Sequence, residues 1–406
     1  MLQKSRVNWL NPTWDQREID AVAEVLKHEE SLQVGPHVRE MERRVAPLLA
    51  KRHGVMVNSG TSALYLAVEL MDLPPGSEVV TSVLTFSATI APLVRAGLVP
   101  AFVDVEPDTY NIDVDRIEEM ITPKTRAILT PNLIGNAPDW ARIREIADRH
   151  GLLVVEDTAD TLGARLHGKP TGHWSDISIT SFAQSHIITS GGSGGLIAVN
   201  DVETADRALL LRRWGRRCEV QMFGSEEKPD VRFEGRLEDG LLYDSFVIFD
   251  EVAWNFEPSE MHAAFGLVQL DKLPEFLEVR QRNFQSHTEF FSRYPDHFLP
   301  ARQTDELETS WICYPLLIRR EASFDRDRFH RYLAEWGIDA RMAWSGNMLR
   351  QPAYGKVEHR AAPGGYPNAD RVMECTTTLP MGHATTPEEM DYIHAVVEQL
   401  IAESGS

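Results

Sequence analysis

Short apolar runs recur through the first half of the chain, at Val55–Val57, Glu78–Val83, Ala101–Val105, Ala127–Leu129, Leu152–Val155, Ile177–Phe182 and Leu196–Val199. Each has the length of a buried strand. Several are separated by stretches with helical periodicity, such as Ala141–His150. Alternating strands and helices predict an α/β fold with a mainly parallel sheet covered on both faces. Ahead of the first strand, Thr13-Trp14-Asp15-Gln16 fits a capping box that opens an amphipathic run to about Lys27.

After about Phe291 the pattern changes. Trp311–Ile318 reads as a strand, Phe324–Trp336 as a helix ending at Gly337, and Ile338–Met342 as a further strand. Thr386-Pro387-Glu388-Glu389 opens a last helix, with a capping residue, a proline in the first turn and acids at the positive end of the dipole. The expected organisation is an N-terminal arm and large domain over residues 1–290 and a small α+β domain over 291–406. The least regular stretch, Glu219–Asp250, reads either as a surface insertion or as a lid or subunit contact beside the site.

Composition narrows the class. The three cysteines, Cys218, Cys313 and Cys375, are too scattered for a disulfide framework and point to a reducing, cytoplasmic setting. The first residues, Met1–Arg6, lack the apolar core of a signal peptide, and no run approaches the ~18 apolar residues needed to span a bilayer. A formal charge of −20 disfavours nucleic acid and anionic membranes as partners. It also requires local basic groups around any anionic substrate.

Two segments carry candidate chemistry. Asn58-Ser59-Gly60-Thr61-Ser62-Ala63-Leu64 follows the apolar Val55-Met56-Val57 and precedes a helical run to Leu70. A strand, a turn of small residues and a helix start form an anion site, to which Thr61 or Ser62 adds a hydroxyl. Leu152-Leu153-Val154-Val155-Glu156-Asp157 reads as a buried strand that delivers a carboxylate to its C-terminal edge, where open α/β sheets bind ligands. Such a carboxylate suits a protonated pyridine nitrogen. Each segment also has a plainer reading, the first as a helix cap and the second as an acidic loop.

Together these segments resemble the DegT/DnrJ/EryC1/StrS family of sugar aminotransferases and dehydratases. The resemblance runs from Val34-Gly35-Pro36 through Asn58–Thr61, Asp157 and Ser181-Phe182 to Trp254-Asn255-Phe256 and Gly266-Leu267-Val268-Gln269-Leu270. Within it, Asn132-Leu133-Ile134-Gly135-Asn136, Gly346-Asn347 and Arg350–Tyr354 are similar to the 3-dehydratase branch. The resemblance implies a fold-type I transferase that uses pyridoxal 5′-phosphate or pyridoxamine 5′-phosphate. By it, Gly60, Thr61 and Ser181 hold the phosphate, Phe86 lies on the pyridine ring, Asp157 pairs with the ring nitrogen as an ionised carboxylate, and Asp160 sits near the cofactor. Asn255 would reach the phosphate in a partner subunit, which implies a homodimer.

His186 is the decisive departure. In the segment Ser181-Phe182-Ala183-Gln184-Ser185-His186, fold-type I enzymes carry the lysine that binds the cofactor covalently, and the dehydratase branch carries histidine. An imidazole has no primary amine but moves protons near neutral pH. The implied activity is removal of the C3 hydroxyl from a nucleotide-linked 4-keto-6-deoxy sugar. His186 would be the acid/base and the cofactor would be held non-covalently. One subset of such enzymes holds an iron–sulfur cluster on closely spaced cysteines; Cys218 has no thiol near it in sequence, so no metal is expected. Glu257 stands where the family commonly has a basic residue, and would repel an anionic substrate or donor. Alternative readings are a lysine-less enzyme of another class (an oxidase, another lyase or an aminotransferase-like activity) on an amino-bearing metabolite, and a non-catalytic binding relative.

Overall fold

The computed structural model describes all residues except 1–2, 12, 29–30, 227, 229–231, 233–234 and 405–406. All seven expected runs are strands of one sheet: β1 (His53–Val57), β2 (Glu78–Ser82), β3 (Val99–Val103), β4 (Thr125–Pro131), β5 (Leu153–Asp157), β6 (Ile177–Ser181) and β7 (Gly195–Val199). Their order is β1-β7-β6-β5-β4-β2-β3. Only β7 runs against its neighbours β1 and β6. The sheet is thus mainly parallel, and its strands are buried on both faces, as near-continuous apolar runs require.

Four early helices flank it: α1 (Gln16–His28), α2 (Pro36–Val45), α3 (Gly60–Leu70) and α4 (Ser87–Arg95). The entry to α1 lies two residues later than the expected box. Asp15 caps it, donating its N–H to Glu18 Oε2 at 2.9 Å and accepting from the Arg17 N–H at 2.9 Å. Thr13 is drawn off to Gln269, whose side chain also donates to the Thr13 carbonyl. Helices α5 (Trp140–His150), α6 (Val202–Arg212) and α7 (Arg217–Phe223) follow, and the long α8 (Glu260–Phe291) leads out of the sheet region. The change in sequence pattern falls at its end.

Beyond α8, an antiparallel sheet is built from β8 (Phe298–Pro300), β9 (Tyr314–Ile318), β10 (Arg341–Met342) and β11 (Thr376–Leu379), in the order β8-β9-β11-β10. It carries α9 (Arg326–Glu335), α10 (Pro367–Cys375) and α11 (Pro387–Ser404). Its core is shared with the large sheet's surroundings: Val83, Leu84, Phe102 and Ile134 pack in one cluster with Phe291, Trp311, Leu316 and Leu379. That shared core fixes β10 over the C-terminal edge of the parallel strands. In the irregular stretch, Gly235–Arg236 pairs with Leu242–Tyr243, and Leu241, Leu242 and Phe249 are exposed. Among the described residues no helix is long and apolar enough to cross a membrane.

Candidate active site

At the C-terminal edge of the parallel strands lies a cavity of about 530 Å³. Ser59, Gly60, Thr61, Phe86, Thr89, Asn132, Asp157, Asp160, Ser181 and His186 line it, with Trp9, Arg341 and Trp344 above. Seven of the eight residues expected at the site therefore meet in one place. No lysine lines it among the described residues. Lys169, the lysine nearest in sequence to His186 on its N-terminal side, is exposed and contacts His173 instead.

The anion end of the cavity is the start of α3. Ser59 is its N-cap, and the Ser59 Oγ accepts from the Ser62 N–H at 3.1 Å. The carbonyl of Ser59 accepts from the Ala63 N–H. The amides of Gly60 and Thr61 are the remaining first-turn donors, and they carry the positive end of the helix dipole. Ser62, one of the two hydroxyls the sequence offered, is spent on Asn58 Oδ1 at 2.6 Å and is buried; Thr61 is exposed and lines the cavity. Two glycines set how close the elements come. A Cβ on Gly60 would lie 2.6 Å from the Ser181 Cβ, and one on Gly195 would lie 2.5 Å from the Ser59 carbonyl carbon. The glycine-rich run after His186 is thus main chain packed directly against the anion cradle.

Asp157 ends β5 and is buried. Its Oδ2 accepts from Thr89 Oγ1 at 3.0 Å and its Oδ1 from the Ala159 N–H at 3.1 Å. The described residues give it no cationic partner. Burial pushes its pKa up to about 6, so the ionised state expected of it needs a cation that the chain does not itself supply. Burial likewise pushes Asp160 up to about 7 and the His186 imidazole down to about 4. The ring of Phe86, at the N-cap of α4, is 54% exposed despite its place in a cavity wall. Its loop is clamped by the turns that follow β10. Leu84 bridges to Asn347, and the Tyr354 hydroxyl donates to the Ser87 carbonyl at 3.2 Å. Asn347 and Tyr354 of the Gly346-Asn347 and Arg350–Tyr354 motifs make these contacts. Asn132 is held by a buried network, donating to Glu156 at 2.8 Å and Thr161 at 2.9 Å and accepting from Trp140 Nε1 at 2.7 Å.

An anion cradle, an open aromatic face and a buried carboxylate without a cation fit a flat, cationic heteroaromatic ring bearing a phosphate. These features, on this sheet, define a fold-type I enzyme using pyridoxal phosphate. The chain belongs to the DegT/DnrJ/EryC1/StrS aminotransferase family, which it matches over residues 12–398. It is 34% identical to the dTDP-4-dehydro-2,6-dideoxy-D-glucose 3-dehydratase of Saccharopolyspora spinosa, covering 91% of this chain and 81% of that one. It is 31% identical to the GDP-4-keto-6-deoxy-D-mannose 3-dehydratase of Yersinia pseudotuberculosis, covering 86% and 88%. The E. coli GDP-4-keto-6-deoxy-D-mannose-3-dehydratase, solved with bound hydrated PLP, superposes with a TM-score of 0.87 at 27% identity, over 97% of this chain and 100% of that one. The cofactor is pyridoxal 5′-phosphate or its amine form.

Asn255, expected to serve the site of a partner subunit, does not line the cavity of its own chain; it is exposed, and its Oδ1 accepts from the Glu257 N–H at 3.1 Å. The charge of Glu257 is instead met within its own chain. Its side chain is 7% exposed and lies 3.3 Å from Arg213 Nη1, a guanidinium shared with Glu219. Burial holds its carboxyl above the usual range against the pull of Arg213. Glu257→Arg is therefore expected to destabilise the fold, not to retune binding. It would set a third cation against Arg213 and Arg212, and breaking a buried pair this way costs roughly 3–5 kcal/mol. A thermal melt of the variant several degrees below wild type checks this; an unchanged melt with altered ligand affinity would return Glu257 to the site.

Proposed function

We propose that the protein is a pyridoxamine-phosphate-dependent dehydratase that removes the C3 hydroxyl of a nucleotide-linked 4-keto-6-deoxy sugar. One observation carries the reading: the cavity holds His186, where the family resemblance puts the covalent lysine, and among the described residues no lysine lines it. The named relatives, two 3-dehydratases acting on such sugars, support it. The bound cofactor supplies an amine to hold the keto sugar and a ring that accepts electrons as carbon loses its proton.

The chain's own groups then divide the work. Gly60, Thr61 and Ser181 hold the phosphate. Phe86 would pack on the ring, and Asp157 would pair with its nitrogen and be held ionised there, since a neighbouring cation favours the charged carboxylate. His186, neutral at physiological pH because burial lowers its proton affinity, would take a proton from the amine-bearing carbon of the cofactor, whose C–H electron pair serves to expel the C3 oxygen. It then returns that proton to the departing C3 oxygen, which leaves as water. The absence of a lysine removes the competing path that would hand the amine to the sugar. Arg341, which lines the cavity from β10 in a solvent-exposed pair with Asp339 at 3.0 Å, would exchange that partner for an anionic nucleotide in a chain of net charge −20. Asn255, outside its own cavity, serves the site of a second copy of the chain in a homodimer. The division of labour between residues 1–290 and 291–406 follows: the first holds the cofactor, and the second closes over the sugar.

The test is a product assay. Protein loaded with pyridoxamine phosphate is mixed with GDP- or dTDP-linked 4-keto-6-deoxy sugars, with glutamate as amine source, and products are analysed by mass. Loss of the C3 oxygen supports the reading. An aminated sugar that retains this oxygen, or no turnover of either sugar, rejects it.

A further inference from the structure

We propose that Asp160 is the positioning residue for His186, fixing the imidazole and supplying its counter-charge when it takes a proton from substrate above neutral pH. The proposal rests on the reading of His186 as the base. Asp160 Oδ1 lies 3.7 Å from His186 Nε2, and both side chains are largely buried. Its other oxygen, Oδ2, accepts from the Ile134 N–H at 3.0 Å.

The way that N–H is delivered is the second observation. Ile134 has φ 63° and ψ 11°, in the left-handed region, where a β-branched side chain is a genuine outlier. The conformation is pinned from both sides. The Ile134 carbonyl accepts from the Ile312 N–H at 3.1 Å. The next residue, Gly135, has φ 95° and packs so closely on the main chain of Trp311 that a Cβ there would lie 2.6 Å from the Ile312 nitrogen. Strain of this kind persists where the surroundings over-determine it, and it clusters at functional sites. Here it holds one oxygen of a carboxylate so that the other faces an imidazole.

The charges around the pair are Asp157 from the end of β5, Arg280 from α8 and the Cys313 thiol beside β9. Arg280 is buried and donates to the carbonyls of Trp311 and Ile312 and to His383 Nδ1, without an ion pair among the described residues. It favours an ionised Asp160 and a neutral His186. Asp157 opposes ionisation of Asp160. The arrangement leaves one negative charge to be completed when the imidazole gains its proton, and Asp160 is the carboxylate in reach. A lone imidazolium in so buried a site would be costly.

The test is the tautomer of the neutral His186 ring in cofactor-free protein, read by nitrogen-15 NMR at pH 9, where Asp160 is ionised. In wild type the ring proton should sit on Nε2, the nitrogen that faces Asp160 Oδ1. In Asp160→Asn, which keeps an oxygen for the Ile134 N–H and turns an amide toward the ring, the proton should move to Nδ1. Asp160→Glu should restore Nε2–H. If the Asn variant fails to fold, the wild-type tautomer and the Glu variant still decide. A wild-type ring protonated on Nδ1, or a tautomer unmoved in Asp160→Asn, overturns the proposal. The Nε2–H tautomer without dehydration would keep the pair and sink the dehydratase reading; dehydration without it would do the reverse.

Discussion

His186→Asn should keep the cofactor and lose turnover by roughly 10²–10⁴-fold, the usual contribution of a positioned general acid–base group. The variant removes the only proton carrier at the matched position while leaving the phosphate cradle, Phe86 and Asp157 untouched. Absorbance of the bound cofactor after gel filtration reads retention, and single-turnover mass analysis reads dehydration. Undiminished turnover removes the histidine from the mechanism. The companion variant tests the same position by its opposite chemistry. His186→Lys supplies the amine that imidazole lacks, so borohydride reduction with pyridoxal phosphate should fix the cofactor on residue 186 of that variant. Wild type should show no such adduct. A stoichiometric adduct at another lysine of the wild-type chain would show that the cofactor site has been misplaced.

The parts of the site that were legible in the sequence are those made by single segments. A strand, small residues and a helix start specify the cradle at Gly60. An apolar run ending in acid specifies Asp157 at the edge of β5, because a strand buried on both faces is apolar throughout and ends where charge begins. What could not be read are pairings between distant segments. The ion pair of Glu257 with Arg213 spans two elements, and nothing local to Glu257 signals that its charge is already spent. The cap of α1 moved to Asp15 because Gln269, far along the chain, competes for Thr13. Ile134 gives no sign in sequence of its left-handed backbone, since isoleucine is among the residues least suited to it; Gly135 beside it was the one hint of a tight turn. Asn132-Leu133-Ile134-Gly135-Asn136 was matched as a string, and only the packing against Trp311 and Ile312 shows what the string does.

Asp157→Asn should trade function for stability, and the sign of the stability change follows from linkage. The folded pKa of Asp157, about 6, lies above the model-peptide value of 3.8 because of burial. A carboxyl group raised in this way favours the fold below the unfolded pKa, where it is protonated in both states, and that advantage is lost as pH rises through the folded value. Two units correspond to roughly 3 kcal/mol at neutral pH and above. Asparagine carries no charge to desolvate, and its oxygen can still accept from the Ala159 N–H while the Thr89 hydroxyl turns to receive its amide. Cofactor-free Asp157→Asn should therefore melt higher than wild type at pH 8 and equally at pH 4. With cofactor present the order should reverse, because only the carboxylate keeps the ring nitrogen protonated and the ring an effective electron acceptor. Dehydration should fall by orders of magnitude in the same variant. A lower melt for cofactor-free Asp157→Asn at pH 8 would mean that the carboxylate is satisfied by its hydrogen bonds alone, and normal turnover would mean that Asp157 does not face the ring nitrogen.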